Sequence, residues 1–527
     1  MVKQNYSSAY GGGVYVSFGS NLTIKEGAEI SGNTGYGGGV CIYPYEIESV
    51  EGTFETTVTM KGGSISGNTG CANTNASFGG GGVLVYDYSG SASFVMNGGS
   101  ISENTCDGYG GGVCIYGENV KFTMNGGTIG GSTSDNGNSS ITYNGYGGGV
   151  YINGGSTFEM IDGAISCNKA ESTSYGGGGA VFISSGTFDM KGGSLTGNTA
   201  TYQGGGVYIA SEGIFNMTGG SISGNSATND GNGVYQYNYN GSTGTFSMGG
   251  SAVVAEDNDV YLASGTKVTI TGSLTAGTSP VATITPGTYT AGTTLLEVSS
   301  DSGTTLAAEY AKFVLSDSEA WILTEEGILK KFYFGTKEPT EAKAVGDIIF
   351  SDGSAVAYSE DLTLTSAQQT AAVAVIFDAT NNKAVGLVQN GGINWCTADA
   401  RVYYETDFAK TLADESSDTD GSLNNYSITD SMDYYPALNW ISSYSTAASL
   451  TSYTSGWYLP AKGELTTLMN NITTVNAASS KLGVAELSGN YWSSTIDSEG
   501  MGAYYSGGDT VASWTSSFNV CAVRKFN

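Results

Sequence analysis

GGGVYINGGSTFEMIDGAISCN, residues 147–168, decides the fold of the first half of this chain. Three glycines lead into the alternating strand Val150-Tyr151-Ile152, a second strand closes on Met160 before a glycine turn, and Ile165 and Asn168 end the unit. The same order recurs at anchor valines Val14, Val40, Val83, Val113, Val150, Val181, Val207, Val234 and Val260, with a shortest step of 26 residues and longer steps where loops are inserted. The second strand ends at Ile24, Met60, Met96, Met124, Met160, Met190, Met217 and Met248, and a third short strand follows at Ile30, Ile65, Ile101, Ile129, Ile165, Leu195 and Ile222. Such short segments, alternating with period two and punctuated by glycine, predict three strands per repeat and one repeat per coil of a parallel β-helix. A single coil cannot bury its inner face, so stability must come from stacking like on like, Val over Val and Met over Met.

An asparagine closes most repeats: Asn33, Asn68, Asn104, Asn168, Asn198 and Asn225. Stacked at coil spacing, these amides are expected to form a ladder with a structural rather than a ligand role. Insertions fall near 43–55, 69–78 and 131–145. The residue between the inward pair of each first strand is Tyr15, Cys41, Leu84, Cys114, Tyr151, Phe182, Tyr208, Tyr235 or Tyr261. It predicts an aromatic stripe on the outside of the helix, either self-stabilising or covered by another segment.

The chain has 527 residues, with 48 Asp+Glu against 19 Lys+Arg and a net charge of −29. That balance argues against nucleic acid and against anionic membrane surfaces, which call for basic patches. No apolar run is long enough for a membrane-spanning helix. The first ten residues pass straight into the first repeat, which fits a chain trimmed from a longer precursor and an extracellular or cell-surface location. Histidine is absent, and the seven cysteines lack metal-site spacing. Cys41 and Cys114 lie two coils apart, too far to bridge; Cys71 and Cys106 follow neighbouring Asn turns, where a disulfide and free thiols are both open; Cys167 has no obvious partner.

Residues 276–335 lose the glycine motif but keep short β segments, and read as terminal coils capping a helix that occupies 1–275. A proline and several charges over 335–344 mark a boundary. Beyond it, VGDIIFSDGSAVAY reads as a hairpin and AAVAVIFDATNNKAVGLVQ as two buried strands across an Asn-Asn turn. YYPALNWISSY and AKGELTTLMNNITTV have helical periodicity, the latter with Leu465, Leu468, Met469 and Ile472 on one face. The tail reads as short strands and polar loops.

Four motifs in this region occur in a specific order: Val345-Gly346-Asp347; Gly456-Trp457-Tyr458-Leu459-Pro460 followed by Glu464-Leu465; Tyr491-Trp492-Ser493-Ser494-Thr495; and Val523-Arg524-Lys525-Phe526. Through them residues 343–527 resemble the Lcl-type C-terminal domain and the Fibrobacter major paralogous domain, of the C-type-lectin-like and formylglycine-generating-enzyme-like group. The first half resembles the right-handed parallel β-helix of polymorphic adhesin-like repeats. The resemblances imply a mainly β chain, a right-handed parallel β-helix followed by an α+β C-type-lectin-like domain that binds a ligand. Some relatives in this group are variable proteins diversified by a retroelement. One departure is Tyr458, where the family usually has Arg or His. The tail residues Tyr504, Tyr505, Ser506, Asp509, Thr510, Ser513, Trp514, Ser516 and Ser517 have the Tyr/Ser composition of an adaptable binding surface, with an alternating exposed hairpin as the plainer reading. Trp457 and Trp492 are expected in the core.

Catalysis is not expected. The solenoid has no Arg, its lysines, among them Lys25, Lys61, Lys121, Lys191 and Lys267, are scattered, and Asp87, Asp107, Asp135, Asp162, Asp189 and Asp230 do not recur at one coil position, whereas glycoside cleavage needs converging carboxylates. Cys396 and Cys521 read as buried thiols or a structural disulfide rather than an oxidase pair. Asp414, Glu415, Asp418 and Asp420 before Gly421 are a weak Ca²⁺ candidate that lacks EF-hand spacing and reads more simply as a solvated loop. No cofactor is expected. The function that emerges is a non-enzymatic, adhesin-like binding protein with a β-helix stalk and a lectin-like tip for a protein or glycan ligand. The alternatives are a polysaccharide-acting enzyme and a purely structural envelope protein.

Overall fold

The structure, a computed structural model, describes residues 1–527 except 9, 18, 45–54, 71–78, 88–89, 142–144, 172–175, 278–279, 398–418, 425–431, 497–501, 506–510, 514 and 527, with backbone alone at 423, 424, 432, 496, 502–505 and 511. It divides into two compact units, Met1–Phe332 and Tyr333–Asn527.

The first unit is a parallel β-helix. Each coil contributes to a stack of parallel strands, and the anchor valines pair one above another, Val14 on Val40, Val40 on Val83 and onward to Val234 on Val260. This first-strand sheet has eleven strands, and the second- and third-strand sheets have ten and nine. At the usual spacing of about 4.8 Å, eleven strands span roughly 48 Å. The coil has four strands rather than the three expected. Directly after the Asn turn comes a two-residue strand, such as Thr69–Gly70, Thr105–Cys106 or Thr199–Ala200, and seven of these pair into a sheet of their own. Two residues ending in Gly, Ala, Cys or Ser carry no apolar alternation, so their sequence gives no strand signal.

The interior is a set of ladders. Met60, Met96, Met124, Met160, Met190, Met217 and Met248 stack in register and are wholly buried. Beside them runs a second ladder, Phe94, Phe122, Phe158, Phe188, Phe215 and Phe246, with ring centroids 4.8–5.5 Å apart. The glycine after each Met turn has a structural reason. Gly99, Gly127, Gly163, Gly193 and Gly220 all have φ between +78° and +108°, and a Cβ there would meet the Cε of the preceding coil's methionine at 2.5–2.7 Å. The third glycine of the GGGV motif makes room in a similar way: a Cβ on Gly13 would lie 2.9 Å from the Asn33 amide nitrogen.

The asparagine ladder is longer than its sequence pattern suggested. Asn5, Asn33, Asn68, Asn104, Asn138, Asn168, Asn198, Asn225 and Asn258 form one continuous line. Each side-chain carbonyl from Asn33 on accepts the backbone N–H and the side-chain amide of the asparagine before it, at 2.8–3.3 Å. From Asn33 to Asn225 the second amide hydrogen goes to a third-strand carbonyl of an earlier coil, as from Asn168 to Ile129 at 3.0 Å. The ladder satisfies the polar groups of a corner that is otherwise out of reach of water. Beyond Asn258 the strands Ala282–Pro286 and Phe313–Leu315 continue the first-strand sheet and Leu296–Val298 the second, and an antiparallel pair, Trp321–Leu323 with Leu329–Lys331, ends the unit.

The second unit is α+β. Its five-stranded antiparallel sheet has the order Ala355–Val356, Ile348–Phe350, Ala372–Asp378, Lys383–Asn394, Ser517–Lys525. The expected hairpin pairs Ile348 with Val356, and the expected Asn-Asn turn joins the third and fourth strands with Asn382 at φ +53°. Helices Lys462–Asn470 and Ile472–Ser480 bury Leu465, Leu468, Val475 and Ala478 against Val375, Phe377 and Val523, with Met469 and Ile472 half-buried on the same face. Residues 334–337 hydrogen-bond onto 352–355 within this unit.

Candidate functional site

The tail residues singled out for binding fall on a second, three-stranded sheet: Trp492–Ile496, Gly502–Tyr505 and Val511–Ser513. Backbone pairing sets Tyr504 opposite Val511, Tyr505 opposite Trp492 and Ser513 opposite Gly502. The chain then turns, with the Ser516 N–H donating to the Ser513 carbonyl at 2.8 Å, and Ser517 opens the last strand of the main sheet opposite Asn394. Ser513 and Ser517 are exposed and Ser516 is half-buried. Ser506, Asp509, Thr510 and Trp514 lie outside the described residues.

The neighbouring strand, Trp492–Ile496, is tied down by two indoles. The Trp395 indole donates to the Ser493 carbonyl at 2.7 Å, and the Trp492 indole donates to the Ile393 carbonyl at 2.8 Å. Both rings are fully buried, packed with Tyr435, Leu438 and Val520. The two bonds tie the end of Lys383–Asn394 and the adjoining Trp395 to Trp492–Ile496. Trp457 packs half-buried near Tyr444 and Phe526, its indole bonded to the Tyr453 carbonyl at 2.7 Å. Gly456 before it, at φ +80°, leaves space for Arg524: a Cβ there would lie 2.6 Å from Nη1. The Arg524 guanidinium sits over the Tyr453 ring, 5.0 Å from its centre.

Tyr458 belongs to a buried polar hub. Its hydroxyl donates to Glu464 Oε1 at 2.8 Å, and burial first, then the Glu464 charge, push its pKa far up. Glu464 also pairs with Lys383, and its Oε2 accepts the backbone N–H groups of Gly421 (2.9 Å) and Ala461 (2.8 Å). Lys383 donates to the Thr419 carbonyl at 3.0 Å and lies 3.8 Å from Asp420. The hub fixes the start of helix Lys462–Asn470 and the chain around 419–421.

Of the Ca²⁺ candidate, Asp414, Glu415 and Asp418 lie outside the described residues. Asp420 binds the Ser422 hydroxyl (2.6 Å) and N–H (3.1 Å). Burial, the largest influence, raises its pKa, but Ser422 and Lys383 outweigh it and leave the carboxyl below its ordinary value. Among the described residues no group of three or more His, Cys, Asp or Glu side chains is placed to hold a metal, and no helix is long and apolar enough to cross a membrane. Cys396 and Cys521 are buried free thiols, both pushed up to about 12 by burial. Cys41 and Cys114 are likewise unbridged. Cys71 lies outside the described residues, and the Cys106 thiol rests 3.2 Å from the Gly79 carbonyl. Several solenoid carboxylates serve local structure: Asp87 binds Gly90 N–H and Asn119, Asp189 binds Asn216, and Glu159 sits between Lys121 and Lys191.

The outer stripe of the helix is real and largely covered. Cys41, Leu84, Cys114, Tyr151 and Phe182 are buried beneath or beside a second row of tyrosines that includes Tyr43, Tyr86, Tyr109 and Tyr146. Compared with protein-family models, with curated proteins and with solved structures, the chain matches none.

Proposed function

We propose that this chain is an extracellular or cell-surface ligand-binding protein, adhesin-like and without catalytic activity. In this reading the β-helix is the stalk, and the second unit is a C-type-lectin-like module whose contact surface is the tail segment 504–517. The supporting observation is the pair of indole bonds, Trp395 to Ser493 and Trp492 to Ile393, that ties down the strand neighbouring that segment. A polar, tyrosine- and serine-rich surface on a rigid base is the arrangement that lets a paratope bind with little ordering cost. The ligand is a protein or a glycan on another cell or surface. The test is a screen of the full-length chain against glycans and surface proteins, repeated with Tyr504→Ala, Tyr505→Ala, Ser513→Ala and Ser517→Ala combined. Loss of binding by at least about tenfold with an unchanged circular-dichroism spectrum supports the assignment; a ligand held equally by the quadruple variant places the contact surface elsewhere.

A further inference from the structure

The outer stripe follows a rule of exchange that leaves a groove. Where the outward residue of the first strand is small, the residue two places on is a tyrosine: Cys41 with Tyr43, Leu84 with Tyr86, Cys114 with Tyr116. Those tyrosines stack on one another at 5.2 Å and roof the stripe. From Tyr151 the pattern reverses. The outward residue is a ring, and its follower is small: Tyr151 with Asn153, Phe182 with Ser184, Tyr208 with Ala210. On the other flank the bridged line of Tyr109 and Tyr146 also gives way, to Gly177 and then Gln203. The second wall steps down one coil after the first, and Tyr237 restores the roof on the coil after Ala210.

The space between is a groove of about 400 Å³, within the range of clefts that take small molecules. Its floor is Phe182, Tyr208 and Tyr235, stacked at 4.6 and 5.1 Å. Tyr146, Tyr202 and Tyr237 rise around it, and the Gln203 amide and Ser211 hydroxyl supply further polar groups. We infer that this groove is a binding site for an uncharged oligosaccharide, separate from the tail surface and independent of the role given to it.

Three features select that chemistry. The described lining holds no charged side chain, while the chain carries a net charge of −29, which disfavours polyanions such as uronate polymers. Aromatic rings bearing hydroxyls, joined by an amide and a serine, suit a molecule with apolar C–H faces and a rim of hydroxyls. The floor lies inside an eleven-stranded sheet whose backbone groups are paired with the coils on either side. An extended peptide would therefore find no strand edge to extend. Burial and then Tyr261 raise Tyr235 to about 12, so its hydroxyl, hydrogen-bonded with the Gln203 side chain, stays protonated at neutral pH.

The experiment is titration calorimetry of the full-length chain with cellohexaose, maltohexaose, mannohexaose and chitohexaose, with hexagalacturonate and a mixed decapeptide pool as comparators. At least one neutral hexasaccharide is expected to bind saturably. Ala210→Tyr, which extends the native tyrosine roof over the groove, should weaken that binding at least about tenfold without changing the melting temperature. Tyr237→Ala, a half-buried rim residue, should also weaken it and covers the case in which Ala210→Tyr misfolds. The inference is overturned if none of the four neutral sugars binds, if the uronate or the peptides bind in their place, or if binding is indifferent to both substitutions.

Discussion

The two units solve the same problem, burying polar groups, in opposite ways. In the β-helix the solution is repetition. Every ladder asparagine meets a copy of itself, so one geometry satisfies the whole corner from Asn5 to Asn258. In the second unit it is a single hub in which Glu464 gathers Lys383, Tyr458 and two backbone N–H groups that differ from one another. A repeated device spreads an error over neighbours that share the same bonds, whereas a unique hub concentrates it.

The largest effect should therefore come from the hub. Lys383→Met strands a buried carboxylate, and the second unit should lose about 3–5 kcal/mol in denaturant titration. Lys383→Met combined with Glu464→Leu should recover part of that loss, because removing both charges leaves neither uncompensated. Next comes the centre of the ladder. Asn168→Ala leaves the two donors of Asn138 and the Ile129 carbonyl without their partner, and the first unit should lose about 2–3 kcal/mol. A loss as large as that of Lys383→Met would erase the contrast between the two designs.

The pH response is smaller per group and should touch both units. Burial raises Cys41 and Cys114 in the helix, and Cys396 and Cys521 in the second unit, from 9.0 to about 12. A thiol held neutral in the folded chain but free to ionise when unfolded leaves stability intact below pH 9 and erodes it between 9 and about 12. For a fully buried thiol such as Cys114 this amounts to roughly 1.4 kcal/mol by pH 10. Urea midpoints at pH 8 and pH 10 should show a shallower decline for Cys114→Val than for the parent chain. The smallest effect is a gain. The residue before the ladder asparagine is glycine with φ near +60° at Gly32, Gly67, Gly197 and Gly224, but Glu103 is forced into the same conformation at +57°. Glu103→Gly should stabilise the helix by about 0.5–1 kcal/mol, the left-handed strain less the entropy of glycine, as a rise in melting temperature.

The same contrast governs what could be read from residues alone. Stacking made the helix legible, since Val14 to Val260 repeat the environment they create for one another. It failed where repetition was masked. Asn138 follows an insertion, and Asn258 sits in Glu256-Asp257-Asn258-Asp259 without the usual glycine, so the repeat pattern points to neither. The two-residue fourth strand has nothing to alternate. In the second unit the hairpin and the Asn-Asn turn were visible because they are local. Trp395 and Tyr435 were not, because their partners lie far along the chain and nothing nearby marks them as core. For the tail, composition points to residues for a proposed surface but gives no sign of the indole bonds of Trp395 and Trp492. The aromatic stripe is legible in the sequence, whereas the groove is not, because it depends on small side chains facing each other across a coil.

Register has a consequence at the level of the gene. Excising residues 181–206 would join Ala180 to Val207 and bring Val207, Phe215, Met217, Ile222 and Asn225 onto Val150, Phe158, Met160, Ile165 and Asn168, each meeting a side chain closely similar to the one it already faces. Unequal exchange between repeats would then yield shorter or longer helices that still fold. The length of this protein is thus free to drift by whole coils while its cross-section stays fixed.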